Sequence, residues 1–148
     1  MKKMLLIITI LLFICGCKER SINCKIDVDN KDLNYKLSGE YKIYYKKSFV
    51  TKIEKKEKYI SDDRDVIKYL SESKDIELNS LNDNYGGYDF KIESKTKKLT
   101  INTFIDISKT DISKMIKNKY LSKYYVNNDR LTLGGIKLLY ESRGATCE

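Results

Sequence analysis

From Ile22 onward, apolar residues recur at every second position over long stretches. Ile22, Cys24, Ile26 and Val28 alternate with polar residues, which predicts a half-buried β-strand, and residues 29–32 (DNKD) read as the turn that ends it. The next stretch carries the clearest pattern in the chain. Tyr35, Leu37, Gly39, Tyr41, Ile43 and Tyr45 share one parity, and Lys36, Ser38, Glu40, Lys42, Tyr44 and Lys46 share the other. That predicts a long second strand, with Gly39 as a bulge or bend. Lys47 and Ser48 make a tight reversal. Phe49, Thr51, Ile53 and Tyr59 then continue on one face of a third strand, with Lys52, Glu54, Lys56 and Lys58 on the other. A charged face of this kind suits water and protects a sheet edge.

At residues 61–63 the period changes. Asp62, Asp63 and Asp65 gather where a helix N-terminus favours negative charge, and Val66, Tyr69 and Leu70 follow at helical spacing in a helix reaching about residues 76–81. Residues 82–88 (NDNYGGY) break it. A second hairpin follows, with Tyr88, Phe90 and Ile92 alternating, a turn at SKTKK, and Leu99, Ile101, Thr103, Ile105 and Ile107 alternating again. Residues 108–118 suggest a short helix carrying Ile112, Met115 and Ile116, and 120–125 fit no single period. Thr132 can cap a last helix with Leu133, Ile136, Leu139 and Tyr140 inward and Gly144 in the left-handed position at its end. The order is β-β-β-α-β-β-α-α. It predicts an α+β domain, an antiparallel sheet of about five strands with two to three helices packed on one face.

The chain begins differently. MKKM is followed by LLIITILLFI (5–14), which is apolar apart from Thr9 and shorter than the about 20 residues a membrane-spanning helix needs. A basic start followed by such a run reads as a secretory signal peptide. It ends in Ile14, Cys15, Gly16 and Cys17, which resembles the bacterial lipobox, with Cys15 where Ala or Ser is more usual. The resemblance implies cleavage after Gly16, a lipid on Cys17 and a lipid-anchored, extracytoplasmic protein. The expected organisation is a signal peptide at 1–16, the lipidated cysteine and a short spacer at 17–21, and one α+β domain at 22–148. Of four cysteines, one leaves with the signal peptide and one is lipidated. The two that remain, Cys24 and Cys147, are expected to pair, since exported chains favour disulfides. Their bond would close a loop of nearly the whole domain, for which chain entropy gives roughly 3–5 kcal/mol.

The lipobox ICGC, the strand INCKI, the hairpins YKIYYKKSFVTKI and YDFKIESKTKKLTINTFIDI, and the tail IKLLYESRGATCE together resemble the YehR-like family of small bacterial lipoproteins and their relatives in low-GC bacteria. The resemblance implies a membrane-anchored α+β domain and supplies no reaction.

Charge narrows the partners. The whole chain carries 29 Lys+Arg and 21 Asp+Glu; without Lys2 and Lys3 the balance is 27 against 21, or +6. Both signs are interspersed along the sequence, as on a solvated surface, and the excess favours an anionic envelope polymer or anionic lipid; no nucleic-acid partner is expected. There is no His, which excludes Ser-His and Cys-His nucleophile systems, and zinc is disfavoured with the cysteines paired. Residues 27–32 (DVDNKD) begin like a calcium loop. Asp32 stands where the turn glycine belongs and Ser38 where the closing Glu belongs, so the segment reads as a turn. Neither metal nor cofactor is implied. Asp62, Asp63 and Asp65 sit at a helix start, where capping explains them better than acid–base work.

Tyrosine interleaved with lysine is the remaining signal, in EYKIYYKK (40–47) and KNKYLSKYY (117–125). Aromatic faces beside positive charge bind polyanions or stack on rings, which makes Tyr44, Lys46, Tyr124 and Tyr125 the candidate ligand surface. On this reading the protein is a non-enzymatic, lipid-anchored module for binding or envelope assembly, its partner an anionic envelope polymer or another membrane protein. The alternatives are a carboxylate-dependent envelope glycan enzyme, which would need a cleft gathering at least two carboxylates, and an immunity or inhibitor lipoprotein, which would need a charged patch matched to a toxin.

Overall fold

The computed structural model describes residues 18–148. The expected signal segment 1–16, the expected cleavage after Gly16 and the expected lipidation of Cys17 lie outside the described residues. The elements are β1 (Arg20–Asn30), β2 (Tyr35–Lys46), β3 (Phe49–Ile60), α1 (Arg64–Tyr85), β4 (Tyr88–Lys95), β5 (Lys98–Asp106), α2 (Ile112–Lys117), β6 (Val126–Asn127), β7 (Arg130–Leu131), α3 (Leu133–Glu141) and β8 (Thr146–Cys147). Two 3-10 turns, Ile107–Lys109 and Lys123–Tyr125, flank α2. Six strands form one antiparallel sheet in the order β4-β5-β3-β2-β1-β8, while β6 and β7 pair separately. The α+β class and the single helix-covered face are as the patterning predicts. Among the described residues no helix is long and apolar enough to cross a membrane.

Four details differ from the sequence expectation. The sixth strand, β8, returns the end of the chain to the free edge of β1. The first turn falls at residues 31–34, because Asn30 still pairs with Tyr35 and its side-chain oxygen accepts from Leu33 N at 3.0 Å. The third strand is not an edge: β3 lies between β2 and β5. Finally, the irregularity between β2 and β3 lies at Tyr44 and Tyr45, opposite Lys52 and Val50, and not at Gly39. Thr51 is the extra residue, and a bulge reverses which side chains face inward. Val50 is therefore buried, while Phe49 and Thr51 are only half-buried.

The covered face holds two apolar clusters. One joins β1 and β2 to α2 and α3 through Cys24, Tyr41, Ile43, Met115, Ile136 and Tyr140. The other seats α1 on β3 and β5 through Tyr59, Ile67, Leu70, Leu81, Leu99 and Ile101. Along α1 the inward stripe is Ile67, Leu70, Leu78 and Leu81. Tyr69, expected on that stripe, is one helical position off it and 65% exposed. Asp63 caps α1 by accepting from Asp65 N, and Thr132 caps α3 by accepting from Gly135 N.

Cys24 and Cys147 are bonded, with their Cα atoms 4.0 Å apart. The backbone N–H and C=O of Asn23 exchange hydrogen bonds with those of Glu148 at 2.9 and 2.8 Å. The cysteines are thus the neighbouring non-hydrogen-bonded pair, where antiparallel strands approach most closely.

Candidate functional site

Residues across the sheet line up in rows on the covered face. One row reads Ile22, Ile43, Ile53, Ile105 and Tyr88, and another reads Val28, Leu37, Tyr59 and Leu99. Between them the rows turn polar at their centre. Tyr41, Lys55 and Thr103 are adjacent in one, and Gly39, Glu57 and Ile101 in the next. Lys55 and Glu57 therefore stand on the inward parity of a central strand, between the two apolar clusters. Their side chains are 22% and 13% exposed, and Lys55 Nζ lies 3.9 Å from Glu57 Oε1. Tyr41 donates its hydroxyl to the same oxygen at 3.1 Å.

Gly39 makes this arrangement fit. It is the cross-strand partner of Glu57, and the Tyr41 ring lies along the strand above it. A Cβ at Gly39 would stand 2.7 Å from Tyr41 Oη and 2.8 Å from Ile26 Cγ2. Gly39→Ala is expected to destabilise the fold by about 1–3 kcal/mol, as overpacking does, and to push the Tyr41 hydroxyl off Glu57. A denaturant midpoint equal to that of the parent protein would refute this packing.

Above the polar rows is a cavity of 210 Å³ between the helices. α1 lends it Lys74, Glu77, Leu78 and Leu81, and α3 with the turn after it lends Leu139, Tyr140 and Arg143. Lys74 lies four residues from both Leu70 and Leu78, so it occupies a place in the apolar stripe of α1. Arg143 follows α3 on an exposed turn, three residues after Tyr140, and borders the cavity. Lys74 Nζ pairs with Glu77 Oε2 at 2.7 Å. Tyr140 stacks on Tyr41 with ring centres 4.7 Å apart. Burial, then the charge of Glu57 and the hydrogen bond to it, push the Tyr41 hydroxyl well above the usual tyrosine range. Burial and then Glu57 do the same to Tyr140.

The candidate residues Tyr44, Lys46, Tyr124 and Tyr125 do not form one surface. Tyr44 lies on the uncovered face of the sheet, its ring beneath Lys52 at 4.2 Å and Lys42 at 5.0 Å, its hydroxyl donating to Glu54 Oε2 at 3.0 Å. Lys46 is exposed at the end of β2. Tyr124 is 92% exposed on the 3-10 turn before β6, whereas Tyr125 is half-buried and lines the cavity on the helix side. The uncovered face itself is an open trough of 790 Å³. Opposite charges meet across its strands, Lys25 beside Glu40 and Glu40 beside Lys56, so most of its field is satisfied locally.

Lys55, Glu57, Lys74, Glu77 and Arg143 were not among the residues singled out from the sequence. The signal was there in the third strand, where the inward parity runs Ile53, Lys55, Glu57, Tyr59. Two charges interrupt an otherwise apolar register.

No protein-family model matches the chain, and no curated protein matches it by sequence. Two solved structures share its fold. The NMR structure of the E. coli YehR protein is 17% identical with a TM-score of 0.56, over 89% of this chain and 92% of that one. The NMR structure of a protein from Streptococcus pneumoniae TIGR4 is 14% identical with a TM-score of 0.52, over 88% and 86% of the two chains. The fold of this chain is YehR-like.

Proposed function

We propose that this protein is a lipid-anchored, extracytoplasmic bacterial lipoprotein that acts by binding, with the cleft between the sheet and the helices as its site. One observation carries the binding reading. Lys55 and Glu57 stand at inward positions of β3 and Lys74 in the stripe of α1, and they line a single cavity with the more exposed Glu77 and Arg143 at its edge. A packed apolar set of similar volume would hold such a fold as well or better, so stability alone does not account for these charges.

The anchor reading rests on the basic start, the apolar run and the ICGC sequence. The start of the domain sets where such an anchor would act. Glu19, two residues after Cys17, accepts from Thr51 Oγ1 at 2.7 Å and lies 3.6 Å from Lys52 Nζ. A lipid on Cys17 would thus hold the β2–β3 end close to the membrane. The uncovered face, with Tyr44 between Lys42 and Lys52, offers a second contact for an anionic envelope polymer or another membrane protein. The intact mass of the protein isolated from membranes is expected to equal the chain from Cys17 plus a diacylglyceryl group. A mass retaining residues 1–16, or recovery from the soluble fraction without lipid, would overturn the anchor.

Glu57 and Glu77 both line the cleft, which supports a second reading as a carboxylate-dependent glycan hydrolase. Release of reducing sugar from peptidoglycan, abolished by Glu57→Gln, would replace binding with catalysis.

A further inference from the structure

The charges around the cleft do not cancel. Lys55 faces Glu57, and Lys74 is paired with Glu77. Arg143, at the rim of the cavity, makes no ion pair among the described residues. One positive charge is left over, and it belongs to the side chain best shaped to hold a planar anion with two parallel hydrogen bonds. The walls beside it are Leu78, Leu81 and Leu139, and the Tyr140 ring stacked on Tyr41. A mostly apolar pocket with a few placed polar groups is the usual form of a small-molecule site. The volume of 210 Å³ sets the part of a ligand that enters the cavity at small-molecule size.

Resting on the binding reading above, we infer that the cleft takes a small amphiphilic monoanion, a carboxylate on a short aliphatic or aromatic body. The carboxylate pairs with Arg143 at the rim, and the body lies between the leucines of α1 and α3. A cationic ligand would meet the unpaired guanidinium. A wholly apolar one would leave it unanswered and gain only the wall contacts.

Hexanoate, hexylamine and hexanol share one body and differ in charge, so the three separate these terms. They are titrated by NMR into the intact protein, in zwitterionic lipid nanodiscs if it is lipidated and free in buffer if it is not. Hexanoate is expected to shift the methyl resonances of Leu78 and Leu139 saturably and to bind at least tenfold more tightly than either companion. Arg143→Gln is expected to weaken hexanoate about tenfold and leave hexanol unchanged. Arg130→Gln, which does not line the cavity and whose guanidinium lies over Phe49, serves as the control and leaves hexanoate unchanged. Equal binding of all three, or indifference of hexanoate to Arg143→Gln, would remove the anion and leave the binding site. Absence of saturable shifts with any of them would remove the site as well, whatever the mass measurement says of the anchor.

Discussion

Replacing both Cys24 and Cys147 with Ala lowers the melting temperature by about 10–20 °C relative to the oxidised protein. The cysteines are 123 residues apart, so the bond constrains nearly the entire unfolded domain. The chain-entropy model assigns such a loop roughly 3–5 kcal/mol, and a domain of this size loses about 3–5 °C per kcal/mol. The bond also holds β8, which has only two residues and reaches the sheet through the Asn23 and Glu148 exchange. Without it, the amides of Asn23 and Glu148 should lose hydrogen-exchange protection before any in β2 or β3. A calorimetric scan in which the variant melts within about 2 °C of the parent would show that the packed core alone holds the ends together.

The protein is expected to unfold in mild alkali. Tyr41, Tyr59, Tyr88 and Tyr140 all have hydroxyls raised from the ordinary 10.0, with burial the first cause in each. The charge of Glu57 comes next for Tyr41, Tyr59 and Tyr140. Because the folded state keeps these protons longer than the unfolded state does, their stabilisation is complete below pH 10 and falls as pH rises above it. Each group then contributes a loss of about 1.4 kcal/mol per pH unit. Four together remove about 5 kcal/mol by about pH 11, comparable with the whole stability of a small domain. Tyrosinate absorbance should rise in two phases, the exposed tyrosines such as Tyr69 and Tyr124 first and the buried set only with loss of the fold. Tyr41→Phe should flatten the second dependence, and it should lower stability at neutral pH by about 1–3 kcal/mol because Glu57 loses its hydroxyl partner. A single smooth phase near the ordinary tyrosine range, with the fold intact, would contradict the burial of this cluster.

The legible parts of the sequence were those where period and burial coincide. Five long strands, α1 and the cap of α3 followed from alternation and spacing because each element buries one face. Where the backbone departs from its period, pattern misleads. The extra residue at Thr51 moves Val50 inward, and nothing in KSFVTK marks which residue is extra. β6, β7 and β8 are too short to show a period at all. The site was harder for a different reason. Lys55 and Glu57 look like more charge in a charged strand, Lys74 like a solvated helix residue, and Arg143 like any exposed turn cation. Only the sheet register and the placement of α1 and α3 reveal that they converge. The cysteine pair was the reverse case, since an even remainder points to a bond whatever the topology once export is expected from the start of the chain.

The clip at the sheet edge also decides how the molecule carries load. Only the residues before Cys24 and after Cys147 lie outside the covalent loop. A pull applied between those two segments passes from strand to strand across sulfur and never reaches the 122 residues enclosed by the bond. The cleft, the helices and the central strands are mechanically bypassed, so the domain would keep its shape under tension that would unravel an unclipped fold of the same stability.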